Sequence, residues 1–319
     1  MAEYDGGFDA QDIHLMMQFT STTSIDLLGD PKLWAQDAMQ LAFQNNYLMH
    51  AILALAARHL QEAPQMHENH PLYDYKVLEA HHLRKALSGF SHTFNNNIHA
   101  NQDAVLATSF LLLFHVSSVL NINPPPKQPC EDASFTFLRG IQSIVADGSH
   151  IAHSGRYKSL LAPPVLSPVI FPRTEACTWP DTLFIQLIND LPPASSYIQN
   201  KEVYIERFES LTLYLSTLTV QGLRAEALEE LLLSFLKWQA LCPPVFVDLV
   251  KAHDSVALVI LAYYYAAVGL ILSQVNNKWW WFQKKPRHMV QIIGEHIGPA
   301  WDAWLDWPRA AVQRYGTNV

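Results

Sequence analysis

The side chains best able to do chemistry here are the 15 histidines, 12 tyrosines and 9 tryptophans. His115 stands out, because it lies inside the apolar run from Phe110 to Leu120 of a helix-patterned stretch. A buried imidazole must hydrogen-bond, and its pKa can cross neutrality. His115 is therefore a candidate general acid or base toward a ligand in an apolar cavity. A core histidine satisfied by a carbonyl or hydroxyl is the plainer alternative. Tyr263, Tyr264 and Tyr265 are consecutive and cover most of a helix circumference. At least one phenol must then face the interior and find a partner. Tyr264 is taken as the second candidate catalytic residue, with Tyr263 and Tyr265 as ligand contacts; core packing is again the alternative. Phe110 and Phe114, with Trp279 and Trp281 of the run WWWF at 279–282, would form an apolar ligand wall. The tryptophans of that run, with Trp301, Trp304 and Trp307, could equally pin a C-terminal helix.

Other groupings fall short of a site. His67 and His70, like His150 and His153, are spaced by two residues in loop-like sequence with no third ligand fixed by spacing. HExxH is absent, and His81 and His82 would point about 100° apart on a helix. No metal site is expected. Neither GxGxxG nor GxxxxGK occurs, so no nucleotide, flavin or nicotinamide cofactor is implied. Cys130, Cys177 and Cys242 are the only cysteines; they form no CxxC and fit free thiols in a reducing, intracellular compartment.

The elements that must position these residues read as helices. Half of the residues are hydrophobic, 16% are charged and only 12 of 319 are glycine, which excludes a disordered chain and disfavours a glycine-rich β architecture. The net charge of −8 lacks the footprint that duplex DNA demands. Helical periodicity predicts elements over 12–28, 31–44, 47–62 behind an Asn46 cap, 73–94, 101–122, 133–146, 182–190, 201–218, 224–240, 243–252, 254–275 and 287–297, with a last turn carrying Trp301, Trp304 and Trp307. Pro124–Pro126 reads as a loop, and the proline-rich residues 149–180 as irregular chain. The stretch Val256–Val275 is long enough to span a bilayer. Its tyrosines stand at the midpoint rather than the ends, however, and an all-round apolar helix also suits a domain centre. No stable membrane span is expected. The expected fold is a single compact all-α domain over 1–319, its first ten residues a flexible N-terminus.

At residues 30–60 the text DPKLWAQDAMQLAFQNNYLMHAILALAARHL resembles the C-terminal regulatory domain of fungal zinc-cluster transcription factors, especially the sterol-uptake-control type. The pieces are Gln40–Phe43, Leu48 with His50-Ala51, and Leu53–Ala57 with His59-Leu60. Further pieces are Leu138–Ile141, the helix start Asp254–Leu258, and Trp304-x2-Trp307-Pro308, in family order along nearly the whole chain. The resemblance implies an all-α domain around an internal hydrophobic pocket, which in sterol-uptake-control members receives ergosterol. It also makes His50 and His59 architectural. Family regulators carry a six-cysteine zinc cluster ahead of this domain, which three scattered cysteines cannot build. No direct nucleic-acid partner is expected of this chain.

The residues and the resemblance leave two functions open. In the first, a bulky terpenoid, polyketide or sterol-like molecule is bound and undergoes cofactor-independent cyclisation, isomerisation or a pericyclic step in fungal specialised metabolism. In the second, the chain is a non-catalytic sterol- or metabolite-sensing regulator. Either acts in the cytoplasm or nucleus, and a homodimer stays open.

Overall fold

The computed structural model describes residues 9–62, 73–96, 102–119, 132, 134–147, 155–161, 186, 195–215, 225–275 and 278–315. His67, His70, His150 and His153, together with Cys130, Cys177, Pro124–Pro126 and most of 149–180, lie outside them. Among the described residues the fold is all-α, as composition and periodicity require. The helices are α1 (Ala10–Ser21), α2 (Met39–Ala42), α3 (Asn46–Glu62), α4 (Tyr75–Asn96), α5 (Gln102–Ser118), α6 (Ser134–Asp147) and α7 (Lys158–Leu161). They continue as α8 (Ser195–Gln199), α9 (Lys201–Leu215), α10 (Ala225–Ala240), α11 (Pro244–Lys251), α12 (Ser255–Leu272), α13 (Lys285–Ile297) and α14 (Asp302–Tyr315). The chain divides into two compact units. The first holds residues 1–118, 140–162 and 279–281, the second 119–139, 163–278 and 282–319.

In the first unit α3 packs against α1, α4 and α5. Leu48, Ile52, Leu55 and His59, the face expected from the i, i+4, i+7, i+11 spacing, are all buried. The apolar text of α3 leaves no polar face, and thirteen of its seventeen residues are inside. On α5 Thr108 donates to the Ala104 carbonyl and Ser109 to that of Val105, whereas the buried Ser117 hydroxyl has no hydrogen-bond partner among the described residues. Ahead of α2 the chain widens into a π-helical turn, Leu33–Ala38, and Trp34 turns inward to donate from Nε1 to the Leu28 carbonyl at 2.6 Å. Gly29 allows this turn. Its φ is +89°, and a Cβ there would stand 3.1 Å from Leu160 Cδ2.

In the second unit α12 is the axis, with α9, α10, α11, α13 and α14 packed on it. Asp254 starts it as expected, its carboxylate accepting from the Ala257 amide at 2.9 Å. By length and hydropathy α12 could cross a membrane, yet 89% of it is buried in the protein. A helix clothed on every side explains its uniform apolarity.

The boundaries differ from expectation where capping competes with periodicity. The first helix stops at Ser21, and Thr23–Asp26 is a separate 3-10 turn. Helix α3 begins at Asn46 itself. The residue before it, Asn45, turns its amide back to the Leu41 carbonyl instead of capping forward. The last element is a full helix of 14 residues that contains Pro308, not a single turn.

Candidate functional site

His115 lies on α5 with 5% of its surface exposed. Its Nε2 is 2.8 Å from Glu79 Oε1 on α4. The other oxygen of Glu79 accepts from Gln61 Nε2 at 2.6 Å. Burial disfavours the Glu79 carboxylate. The hydrogen bond and charge of His115, the Gln61 amide and Arg58 outweigh it, and hold the carboxyl below its ordinary value. Arg58, wholly buried on α3, donates from Nη2 to the Ser118 carbonyl and to Glu62 Oε1, both at 2.8 Å, and from Nε to Ser118 Oγ at 3.2 Å. Ser118 Oγ in turn donates to the His115 carbonyl. Three helices are thus joined by one buried polar chain: Gln61, Glu79 and His115 on one side, Arg58 and Ser118 on the other. Chemically it is an imidazole oriented by a carboxylate, the arrangement of a general base with its positioning partner.

Of the aromatic candidates in this unit, Phe110 and Phe114 share α5 with His115, and Phe114 packs on both Phe110 and Trp281. Trp34 meets Phe114 edge-on at 5.6 Å and Phe110 at 6.3 Å, and Phe114 lies 4.5 Å from Trp281. Tyr157 completes the group against Trp34 and Phe110. Trp279 is wholly buried and holds a left-handed backbone at φ 60°, a conformation most non-glycine residues avoid. Trp280 stacks on His59 at 4.4 Å with the rings 4° apart. His59 bonds Thr23 Oγ1 through Nδ1, and burial pushes its pKa down to about 4.

The tyrosine triplet belongs to the second unit, in three different environments. Tyr263 stacks on Trp307 at 5.1 Å and meets Phe208 edge-on. Tyr264 donates its hydroxyl to Gln239 Oε1 at 2.9 Å. Tyr265 donates to Asp132 Oδ2 in a short hydrogen bond. Behind them lies a network with no counterpart in the sequence-based expectation. Lys285 Nζ reaches Asp132 Oδ1 at 2.5 Å and Ser134 Oγ at 3.0 Å, and Gln239 Nε2 donates to the same Ser134 Oγ at 3.1 Å. The Lys285 and Asp132 side chains are 1% and 3% exposed. Burial works against both charges. The Lys285 ammonium still holds the Asp132 carboxyl below its ordinary value, while desolvation lowers the lysine. Desolvation drives the Tyr264 and Tyr265 hydroxyls well above the usual phenol value. Tyr264 is thus a neutral donor already in use.

Helices α13 and α14, joined through Gly298-Pro299, border an open cleft of about 530 Å³. The polar side chains Arg287, Gln291, Glu295, Asp302 and Arg309 line it together with the apolar Val290, Pro299 and Val312 and the bare backbone of Gly294. None of the candidate residues from the sequence lines this cleft. Among the described residues no group of three or more His, Cys, Asp or Glu side chains could hold a metal ion.

Comparison with known families adds one finding. Residues 14–122 match the fungal specific transcription factor domain. No curated protein matches the chain. The matched segment runs from within α1 to the end of α5, and so contains Arg58, Glu79, His115 and the Phe110–Phe114 pair. The pieces at Leu138–Ile141, Asp254–Leu258 and Trp304–Pro308 lie beyond it. Within the segment His50 and His59 are structural in their contacts: His50 Nδ1 lies 3.0 Å from His82 Nδ1, and His59 is held between Thr23 and Trp280.

Several partners of the candidate residues escaped the sequence. Arg58 carried a usable signal, a cation amid the apolar text ALAARHL that a buried helix must pair. Glu79 carried none, because its helix reads as an ordinary polar surface. Asp132 and Lys285 are separated by 153 residues. Only the cap role of Asp132, whose Oδ1 accepts from the Ser134 amide at 3.0 Å, left a local trace.

Proposed function

We propose that the chain is a non-catalytic regulatory domain that responds to a bulky apolar small molecule of terpenoid, polyketide or sterol-like kind, in the cytoplasm or nucleus. The match of residues 14–122 to the fungal specific transcription factor domain carries this reading. The saturation of Tyr264 by Gln239 supports it, since a phenol committed to a buried amide has no proton to give a guest. One observation favours the second reading, cofactor-independent cyclisation, isomerisation or pericyclic catalysis. It is the Glu79–His115 pair, in which a carboxylate positions an imidazole.

One experiment separates them. The purified chain is incubated with ergosterol and, separately, with polyene, quinone-methide and terpenoid precursors, and the mixtures are read by mass spectrometry. Stoichiometric binding with every compound recovered unchanged is the expected result. Conversion of any precursor, lost in a folded His115→Ala variant, would replace this reading with the catalytic one. Failure to bind any of the compounds would remove the ligand from the proposal.

A further inference from the structure

The cleft between α13 and α14 lies outside the transcription-factor segment, and a ligand in it is independent of the regulatory function proposed for the domain. Its wall on α13 is one helical stripe. Arg287, Gln291, Gly294 and Glu295 recur at i, i+4, i+7 and i+8, and all line the cleft. On α14, Asp302 and Arg309 face the same space.

Their charges are not equivalent. Arg309 Nη1 lies 2.8 Å from Asp302 Oδ1, so this pair neutralises itself. Gly294 leaves room beside this pair: a Cβ there would stand 2.9 Å from Arg309 Nη2, and the guanidinium would have to shift. Arg287, by contrast, is exposed and has no acidic partner among the described residues. Glu295 is also exposed; its Oε1 accepts only the neutral Gln291 amide at 2.8 Å. The cleft therefore keeps one uncompensated cation and one uncompensated anion on the same wall. Eight residues of helical rise put them about 12 Å apart. A volume of about 530 Å³ is in the range of small-molecule sites, roughly 300–1,000 Å³.

We propose that this cleft binds an elongated zwitterionic small molecule, its anionic group on Arg287 and its ammonium on Glu295. A simple anion would satisfy only Arg287 and meet Glu295 and Asp302 at the far end. A polyanion would be repelled there. An extended peptide of four residues, at about 3.3–3.6 Å per residue, places its free termini at the required separation. The Gln291 and Gln313 amides stand beside its path.

Tetraglycine is the probe. It is titrated into the ¹⁵N-labelled full chain, and the amide shifts of residues 285–313 are followed. A saturable one-to-one response is expected. Arg287→Gln and Glu295→Gln should each weaken it about tenfold, the scale of one lost charged hydrogen bond. Both positions are exposed, so the variants keep the fold, and unchanged thermal unfolding checks this. The end-blocked probes assign the orientation. N-acetyl-tetraglycine keeps the carboxylate, so it should bind the Glu295→Gln variant as it binds the parent and lose affinity only for Arg287→Gln. Tetraglycine amide keeps the ammonium and should show the converse. Absence of a saturable response, failure of this crossover, or acetate or inorganic phosphate matching tetraglycine would each overturn the proposal.

Discussion

At the scale of single residues, the buried ion pair of the second unit is the sharpest case of mutual dependence. Asp132 and Lys285 are wholly interior, and each is tolerable only because the other is present, with Tyr265 and Ser134 taking up the remaining bonding capacity. Asp132→Ala leaves an ammonium buried without its counter-charge and should cost about 3–5 kcal/mol of stability. Asp132→Leu combined with Lys285→Met removes both charges and should recover most of that loss. Urea unfolding of the single and double variants checks both statements, and a double variant no better than the single would show that the pair is not what Asp132 provides. This centre was not legible because sequence reports local spacing, whereas the pairing spans two chain-distant helix starts. The need of Tyr264 for a partner could be read, since a phenol in the middle of an apolar helix must bond; that the partner is Gln239 could not.

At the scale of elements, the sequence spoke through caps. The Asp254 carboxylate closes the first turn of α12, and its position before an unbroken apolar run made that start readable. Asp254→Ala should lower stability by about 1 kcal/mol, seen as a lower urea midpoint with an unchanged slope, and Asp254→Ser should restore much of it. The sequence was less informative where two signals compete. Asn45 and Asn46 both suit a cap, and the side chain of Asn45 bonds backward to Leu41. Pro308 reads as a stop, but α14 carries it and continues to Tyr315. Trp279 bears a left-handed φ that side-chain type gives no reason to expect. The helical class was legible throughout, because period and composition agree over most of the chain.

At the scale of the molecule, acid should be the condition that reveals how the interior is held. Burial first, then nearby positive charge, pushes His50 and His82 down to about 4, outweighing the opposing carboxylates of Asp12 beside His50 and Asp9 beside His82. Burial alone does the same for His59. The unfolded chain takes up these protons near pH 6.5. Between about 6.5 and about 4 it therefore binds more protons than the folded chain, and stability must fall as pH falls. Each independent site contributes up to about 1.4 kcal/mol per pH unit; His50 and His82, sharing one Nδ1–Nδ1 contact, titrate as a pair. Glu79, whose carboxyl is held low, adds stability above its ordinary value and withdraws it at still lower pH. Urea midpoints between about pH 7 and pH 4.5 should drop steadily, and His59→Phe, which keeps a ring against Trp280, should flatten the profile. A pH-independent midpoint would contradict the interior placement of these imidazoles.

Helix α12 carries one last implication. Its eighteen residues have no side that tolerates solvent, so the second unit cannot loosen by degrees around it. While the chain is being made, or whenever that unit opens, this segment is a sticky ribbon seeking any oily neighbour. Chaperone capture and self-association are then the competitors of refolding, and the working lifetime of the protein is set by how seldom α12 comes into view.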